Sequence, residues 1–356
     1  MKRRNTITAL QFLLLTAAGL TLVLTAFVGG EGKLEGLLKS AVRERDPGAV
    51  LSEAESAVNS DLDRDNLFIQ LYGGVQRLSG RRVIQDMVAG NTVAKLSTGA
   101  LNFVNLGTAG QVDQEAVGRR AQATAELAAK LEVRGIPYLY IAAPQKIQRG
   151  AELLPRGLEE SGNATCDAYL AELDLRYGYE TPSILTNPNN WSTRVLDDFF
   201  LGSQGKRVGS LYAGVDDFTI YTPKFDTNLT YTNSDGSFDR SGPFAQSVCF
   251  PERVEERDWF NGNPYTYYSG GDYAMATMVN HNNPKGPKVV LLRESFSCAL
   301  APFLALSCSE LTTIDLRYYQ GDLLETIEGL EPDLVMTMYA ASSTGLENMF
   351  AFEGTE

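Results

Sequence analysis

Ser295 has the position in this sequence that best suits nucleophilic chemistry. It lies in the segment KVVLLRESFSCALAPFLAL, between a hydrophobic stretch typical of a buried strand and the predicted start of a helix. Such a turn exposes a side chain at the carboxyl edge of a parallel sheet, where ligands bind in open α/β folds. N–H groups at the start of the helix can stabilise an oxyanion there. The same position also suits a plain helix N-cap, and Ser297 is a second candidate for that role.

A serine nucleophile needs a base within hydrogen-bond reach, and the chain has a single histidine, His281. That histidine lies in MVNHNNPKGPK, on the loop predicted to lead into the strand before Ser295. A loop before a strand enters at the amino edge of the sheet, opposite the predicted position of Ser295. His281 is therefore a candidate base whose placement is unfavourable. Asp272, in SGGDY, would orient His281 or serve as an ordinary turn residue.

Two basic residues follow predicted strands and are candidates for substrate contact. Lys146, in APQKI, comes directly after a predicted strand at the carboxyl edge of the sheet. Arg317, in IDLRYY, would direct its guanidinium into the site or pair with Asp315, which is the commoner role. No metal-ligand spacing such as CxxC occurs, and no metal or other cofactor is predicted.

The elements that position these residues follow from hydrophobic periodicity. Apolar residues recur at three- and four-residue spacing in a helix that Gly135 stops, and residues 136–143 follow as a buried strand. The C-terminal third repeats this alternation, with strands at 288–292, 311–316 and 333–338 and helices at 297–306 and 322–330. Alternating strands and helices predict an α/β fold with a parallel sheet covered by helices on both faces.

Residues 199–283 have a different texture. They are rich in Gly, Asn, Asp, Thr, Tyr and Phe, with turn signals every few residues, and predict an antiparallel β insertion. Its aromatic side chains, among them Tyr265, Tyr267 and Tyr268, would suit stacking on sugar rings, or they would simply pack within the β module.

The N-terminal part predicts a membrane anchor. Residues 7–28 carry no charge, follow Lys2, Arg3 and Arg4, and would form a helix of about 33 Å, which spans a bilayer. We predict an uncleaved, single-pass signal anchor over residues 1–28, with everything after it extracytoplasmic. Residues 29–66 are polar and predict a stalk, and residues 67–356 form the predicted body.

Composition limits the partners and the disulfides. Asp and Glu number 44 against 31 Lys and Arg, a net charge of −13, so nucleic acid is not an expected partner. The chain has four cysteines, and most of them are expected to be buried. Cys298 and Cys308 would lie about 15 Å apart on a helix, too far for a disulfide.

Several blocks taken together carry a resemblance. They are LFIQLYGGVQRLSGRRV, GIPYLYIAAPQKI, LLPRG, FLGSQGKRVG, YAGVDDFTIYTPKFDTNLTY, NPYTYYSGGDY, LLRESFSCALAPFLAL and TTIDLRYY. With them the chain after residue 66 resembles the DHHW family of SGNH-hydrolase-like proteins, relatives of AlgX and AlgJ. The resemblance implies a flavodoxin-like sheet and a membrane-anchored protein. The resemblance also implies that the protein acts together with a membrane-bound O-acyltransferase to acetylate a cell-surface polysaccharide. Ser295 would be the nucleophile.

One part of the family pattern is absent. The base and its orienting carboxylate come from an Asp-x-His-Trp motif before FLGSQGKRVG, and Asn189-Asn190-Trp191 offers neither group. Because asparagine cannot take the serine proton, we expect catalysis to be impaired. Three explanations remain, in order of preference: a segment lost from the sequence, a non-catalytic glycan-binding or scaffold subunit, or a site rewired around His281.

Overall fold

The computed structural model describes residues 67–86, 88–104, 112–143, 146–147, 152–158, 161–173, 183–255, 257–340, 343 and 347–352. Their contacts form two compact units, one from residues 67–81 with 207–212 and the other from the described residues of 82–206 and 213–356. The predicted anchor and stalk lie outside the described residues. Within the described part, no helix is both long enough and apolar enough to span a membrane.

The elements alternate along the second unit much as the periodicity predicts. The helices are α1 (Leu67–Leu78), α2 (Gln114–Glu132), α3 (Gly162–Leu173), α4 (Ser183–Thr186), α5 (Gly202–Val208), α6 (Ser210–Ala213), α7 (Phe244–Ser247), α8 (Ala301–Ala305) and α9 (Leu323–Leu330). The strands are β1 (Val83–Gln85), β2 (Thr92–Lys95), β3 (Leu101–Phe103), β4 (Tyr138–Ala143), β5 (Trp191–Phe200), β6 (Asp216–Pro223), β7 (Leu229–Asn233), β8 (Asp239–Gly242), β9 (Met275–Asn280), β10 (Lys288–Arg293), β11 (Glu310–Ile314) and β12 (Leu334–Ala340).

The central sheet has seven strands in the order β4-β12-β10-β11-β9-β7-β8. Strands β4, β12, β10 and β11 are parallel, as predicted. The remaining three are antiparallel, so the sheet is mixed rather than wholly parallel. The region 199–283 supplies these three strands: β9 pairs with β11 and extends the same sheet, because an unpaired edge on β11 would leave backbone groups exposed.

The two faces of the central sheet are covered differently. One packs against α2, α3 and α9 through Val290, Leu292 and Val335. The other face packs against α8 and aromatic side chains of the region 199–283. The prediction that helices cover both faces is therefore confirmed for one face and only in part for the other. In place of the predicted helix at 297–306 the structure has a 3-10 turn, Ser295–Cys298, followed by the short α8, which has Pro302 in its first turn.

In the first unit, the backbone of α1 packs directly against the backbone of residues 207–212. A Cβ atom on Gly73 would lie 2.1 Å from the carbonyl oxygen of Val208, so only glycine fits there. The contact is closed by polar groups: Arg77 Nη1 donates to the carbonyl of Leu211 (3.1 Å), and Tyr212 Oη donates to that of Arg81 (3.0 Å).

Two adjacent glycines of α1 give a matched test of this contact. Gly73→Ala should lower the free energy of unfolding of this unit by roughly 1–3 kcal/mol, because the methyl group overlaps fixed backbone. Gly74→Ala should be neutral or stabilising by up to about 1 kcal/mol, since its Cβ would meet only the flexible Leu211 side chain, at 3.2 Å, and alanine favours helix. Urea unfolding followed by circular dichroism measures both. Equal effects of the two variants would contradict the packing.

Candidate functional site

Ser295 stands at the carboxyl edge of the sheet, where β10 ends at Arg293 and the chain turns through Glu294 into the 3-10 turn. Its side chain is half-buried, and no described residue hydrogen-bonds its hydroxyl. Glu294 occupies the N-cap position, so neither Ser295 nor Ser297 is the N-cap. Ser297 is buried and donates to the carbonyl of Met338 (3.4 Å). The Ser295 hydroxyl is therefore the one that can meet a ligand.

The neighbouring carboxylate of Glu294 fixes this turn to β12. One of its oxygens, Oε1, accepts hydrogen bonds from the backbone N–H of Ala340 (2.8 Å) and from the hydroxyl of Ser343 (3.1 Å). Burial raises the pKa of Glu294, and these two hydrogen bonds offset part of that effect. The side chain thus points away from solvent and ties the Ser295 turn to the end of the neighbouring strand.

Beside the turn lies an arginine–aspartate cluster formed by Arg293, Arg317, Asp272 and Asp315. Arg293 is only 2% exposed; its Nη1 donates to Asp272 Oδ1 (2.7 Å) and lies 3.7 Å from Asp315 Oδ2. Arg317 donates to both oxygens of Asp315, at 2.9 and 2.6 Å, and approaches Asp272 at 3.4 Å. Two cations and two carboxylates therefore neutralise each other. Of the two predicted roles for Arg317, the structure shows the ion pair with Asp315.

Cys298 closes the cluster from the last position of the 3-10 turn. Its thiol donates to Asp272 Oδ1 (3.0 Å) and accepts from Arg293 Nη1 (3.0 Å). Burial raises the pKa of Cys298 to about 12, so the group stays a neutral thiol. Burial also acts to raise the pKa of Asp272, but the hydrogen bonds from Cys298 and Arg293 and the nearby positive charges outweigh it and hold that pKa low. All four cysteines are free and buried, which confirms the burial predicted for most of them.

His281 lies at the other edge of the sheet. Strand β9 runs antiparallel to β11, with Met275 opposite Ile314 and Val279 opposite Glu310. The residue after β9 therefore sits at the amino ends of β10 and β11, whereas Ser295 follows the carboxyl end of β10. The imidazole is exposed, and its Nε2 is 2.8 Å from Thr230 Oγ1. This geometry places His281 and Ser295 at opposite edges of the sheet, so the role of His281 as the base stays a prediction. Asp272 pairs with Arg293 and Arg317.

Two predicted substrate contacts, Tyr268 and Lys146, are hydrogen-bonded within the protein. Tyr268 is buried, and its hydroxyl donates to the carbonyl of Tyr221 and accepts from the N–H of the same residue, at 3.0 and 2.6 Å. Both hydrogen bonds are made within the protein, and the contact of Tyr268 with substrate stays a prediction. Lys146 Nζ donates to the carbonyl of Leu101 (3.0 Å) and to Gln204 Oε1 (2.7 Å). The structure does not bring Lys146 to Ser295, and its contact with substrate stays a prediction.

An apolar cavity of about 600 Å³ reaches the same edge of the sheet. Its floor is the face of the central sheet that packs against α8 and the aromatic side chains of the region 199–283. Helix α8 and the start of β5 form its sides. Met338, in the floor, is in register with Arg293, two residues before Ser295. The lining residues are Ile141, Leu185, Thr186, Pro188, Trp191, Thr193, Tyr221, Leu291, Leu300, Phe303, Leu304, Ser307, Met336 and Met338.

Sequence reasoning missed the cavity and, apart from the Arg317–Asp315 pair, the buried cluster. The available signal was Arg293, a charged residue in the last position of an otherwise apolar strand, which needs a buried counter-charge. Across the described ranges, no group of three or more His, Cys, Asp or Glu side chains is arranged to hold a metal ion. The segment from Asp174 to Tyr177, before FLGSQGKRVG, is where the missing motif is expected, and it lies outside the described residues.

Comparison with known proteins gives matches only among solved structures. No protein-family model matches the sequence, and no curated protein matches it. A DHHW family protein from Eubacterium siraeum superposes with a TM-score of 0.55 at 15% identity, over 78% of this chain and 100% of that one. Bacillus cereus PatB1 with a sulfonyl adduct superposes with a TM-score of 0.58 at 16% identity, over 75% and 100%. PatB1 in a second structure gives 0.56 at 15% identity, over 76% and 99%. These likenesses show a DHHW-like α/β fold.

The buried Glu294 predicts a pH-dependent contribution to stability. Its folded pKa lies above its ordinary value of 4.5, so its contribution is fully present below that value and is lost as pH rises through the folded pKa. The difference in unfolding free energy between Glu294→Gln and the wild type should therefore shift in favour of the variant from pH 4 to pH 7. Urea unfolding at both pH values measures it. A difference that does not change with pH would contradict the burial of this carboxyl.

Removal of the buried guanidinium should be far more damaging than removal of a surface one. Arg293→Met should lower the unfolding free energy by roughly 3–5 kcal/mol, because Asp272 and Asp315 lose a buried counter-charge. Arg134→Met is the matched control: Arg134 pairs with Glu328 at the surface, and its loss should cost less than about 1 kcal/mol. Urea titration of both variants tests this, and similar losses would contradict the role of Arg293.

Proposed function

We propose that this chain is an extracytoplasmic, membrane-anchored SGNH-hydrolase-like protein of cell-surface polysaccharide O-acetylation, in which Ser295 handles the acetyl group. The observation that supports this most is the half-buried Ser295 at the carboxyl edge, whose hydroxyl is bonded to no described residue, in a turn fixed from both sides by Glu294 and the arginine–aspartate cluster. The DHHW-like fold agrees with it. The anchor and the membrane-bound O-acyltransferase partner belong to the same proposal.

The chemistry follows from the position of the hydroxyl. Ser295 Oγ attacks the carbonyl carbon of an acetyl ester; the ester C–O bond breaks, and the alcohol leaves with a proton. A sugar hydroxyl then attacks the acetyl-serine, and the Ser295 hydroxyl is regenerated. With no imidazole beside Ser295 among the described residues, its proton passes to solvent rather than to a positioned base. A positioned base contributes typically 10²–10⁴-fold, so slow turnover is the expected consequence.

A second candidate is a non-catalytic glycan-binding or scaffold subunit of the same acyltransferase system. It is favoured by the separation of His281 from Ser295. The tyrosines first considered for sugar stacking do not support it, because Tyr267 and Tyr268 are buried. Phe296 and Tyr318 are exposed at the same edge of the sheet and offer aromatic surface instead. A neutral glycan suits this acidic protein best.

Covalent labelling tests the assignment of Ser295. PatB1 is known with a sulfonyl adduct, and a sulfonyl fluoride probe on the full chain should modify Ser295 slowly. Peptide mass spectrometry locates the adduct, and incubation with 4-nitrophenyl acetate should leave acetyl on the same residue. Ser297→Ala, the matched control, should label as the wild type does, because that hydroxyl is buried.

Two results would separate the candidates. Labelling or ester turnover that survives Ser295→Ala would overturn the assignment of Ser295. Absence of any adduct, together with binding of a neutral polysaccharide that is lost in Phe296→Ala or Tyr318→Ala, would replace the acyltransferase with the binding subunit.

A further inference from the structure

The apolar cavity has the lining of a site for a hydrocarbon chain. None of its lining residues is charged, and its floor consists of Leu291, Met336, Met338 and Ile141. The hydroxyl of Ser307, at the side of the cavity, donates a hydrogen bond to the carbonyl of Leu304 (2.8 Å). A sugar or a nucleotide would lose its hydrogen bonds to water in such a floor, and burying unpaired polar groups is costly. The floor therefore selects an apolar ligand.

Two lining residues of the cavity, Leu300 and Met338, are hydrogen-bonded to Ser297 in the Ser295 turn. Leu300 lines its rim, and the N–H of Leu300 donates to the carbonyl of Ser297, inside the turn (3.0 Å). From there the floor runs back along the strands, from Met338 and Ile141, which are in register, to Leu291 and Met336 one layer deeper. A ligand with its reactive end at Ser295 would lay its remaining atoms along this elongated path.

The volume and the flexible lining of the cavity indicate a ligand that is larger than an acetyl group and flexible. About 600 Å³ lies within the range of pockets that hold whole small molecules, and a two-carbon acetyl group would leave most of it empty. The two methionines of the floor are unbranched and adapt to a flexible ligand. Two-carbon chemistry alone does not account for a cavity of this size.

We propose that this cavity binds one unbranched aliphatic chain of medium length, as found in a fatty acid or an acyl ester, with its carbonyl end toward Ser295. Only the link to Ser295 rests on the proposed function; the binding of the chain does not. Affinity should rise roughly threefold to fourfold with each methylene until the cavity is full.

Trp191 provides a direct readout, because it lines the cavity and packs edge to face on Phe303, with ring centroids 5.3 Å apart. The sequence has one other tryptophan, Trp259, so Trp259→Phe leaves Trp191 as the sole reporter. The full-length Trp259→Phe chain in phosphatidylcholine nanodiscs is titrated with a doxyl-labelled dodecanoic acid, and quenching of the Trp191 fluorescence is measured. The same titration of Trp191→Phe, which retains Trp259, measures quenching that results from partition of the fatty acid into the bilayer. We expect saturable quenching of Trp191, its displacement by unlabelled dodecanoic acid and none by acetate.

Surface variants make the test specific. Leu300, 42% exposed at the rim, becomes charged in Leu300→Glu, which should weaken binding at least tenfold. Val195, 51% exposed and outside the cavity, is the matched control, and Val195→Glu should bind as the parent does. Binding is measured through Trp191 and not through ester cleavage, so a failure of the acyl-transfer proposal leaves this result standing. Circular dichroism confirms that each variant is folded.

Three outcomes would overturn the proposal. Quenching that is equal for Trp191 and Trp259, or equal in Leu300→Glu and Val195→Glu, would mean partition into the bilayer. Absence of saturable quenching in a folded chain would mean that no chain enters the cavity. A dimer in light scattering that Leu300→Glu dissociates would mean that a second copy covers it.

Discussion

A guanidinium buried at the end of β10 must be neutralised where it stands, and much of the carboxyl edge is arranged around that requirement. Arg293 is held by Asp272, which precedes β9, and by Asp315, which follows β11. These residues come from distant parts of the sequence. Because an unpaired buried charge is very costly, the cluster forms only when β9 has paired with β11 and brought its preceding loop to this edge. The region 199–283 is thus part of the site as well as of the sheet.

The same cluster positions the 3-10 turn. Cys298 is bonded to both Arg293 and Asp272, while Glu294, at the other end of the turn, is bonded to the end of β12. Ser295 lies between these two attachments, with its hydroxyl left for a ligand. The arrangement supplies the geometry of a nucleophile without an imidazole at hand, since His281 is at the opposite edge. The slow formation of an acyl adduct that we propose for Ser295 follows from this arrangement.

The sequence predicted what depends on local pattern. Helix α2 begins after Asp113, whose side chain accepts from the N–H of Ala116, and the chain turns at Gly135 with φ +72°. The strand before Ser295 and the turn after it were likewise readable from one apolar stretch and the polar residues that follow. Such features are decided by neighbours in the chain, which a single sequence contains.

What depends on distant pairing was not readable. Tyr268 is a residue type that often contacts ligands, but its hydroxyl is hydrogen-bonded to the backbone of Tyr221. No local sequence pattern predicts that contact. The antiparallel strands β7, β8 and β9 read as a separate module until their register with β11 is known. The sequence analysis considered Asp272 as a turn residue and Asp315 as a partner of Arg317, and only the fold shows that both also face the buried guanidinium of Arg293.

We propose that Ser295 is the nucleophile and that, among the described residues, no imidazole lies beside it to act as general base. Imidazole rescue tests it most directly: 4-nitrophenyl acetate cleavage is measured for the wild type and Ser295→Ala over a range of added imidazole. The account predicts that the difference between the two rates grows with imidazole concentration, because the added base takes the Ser295 proton. A Ser295-dependent rate that is already fast without imidazole, does not respond to it and is lost in His281→Asn would contradict it.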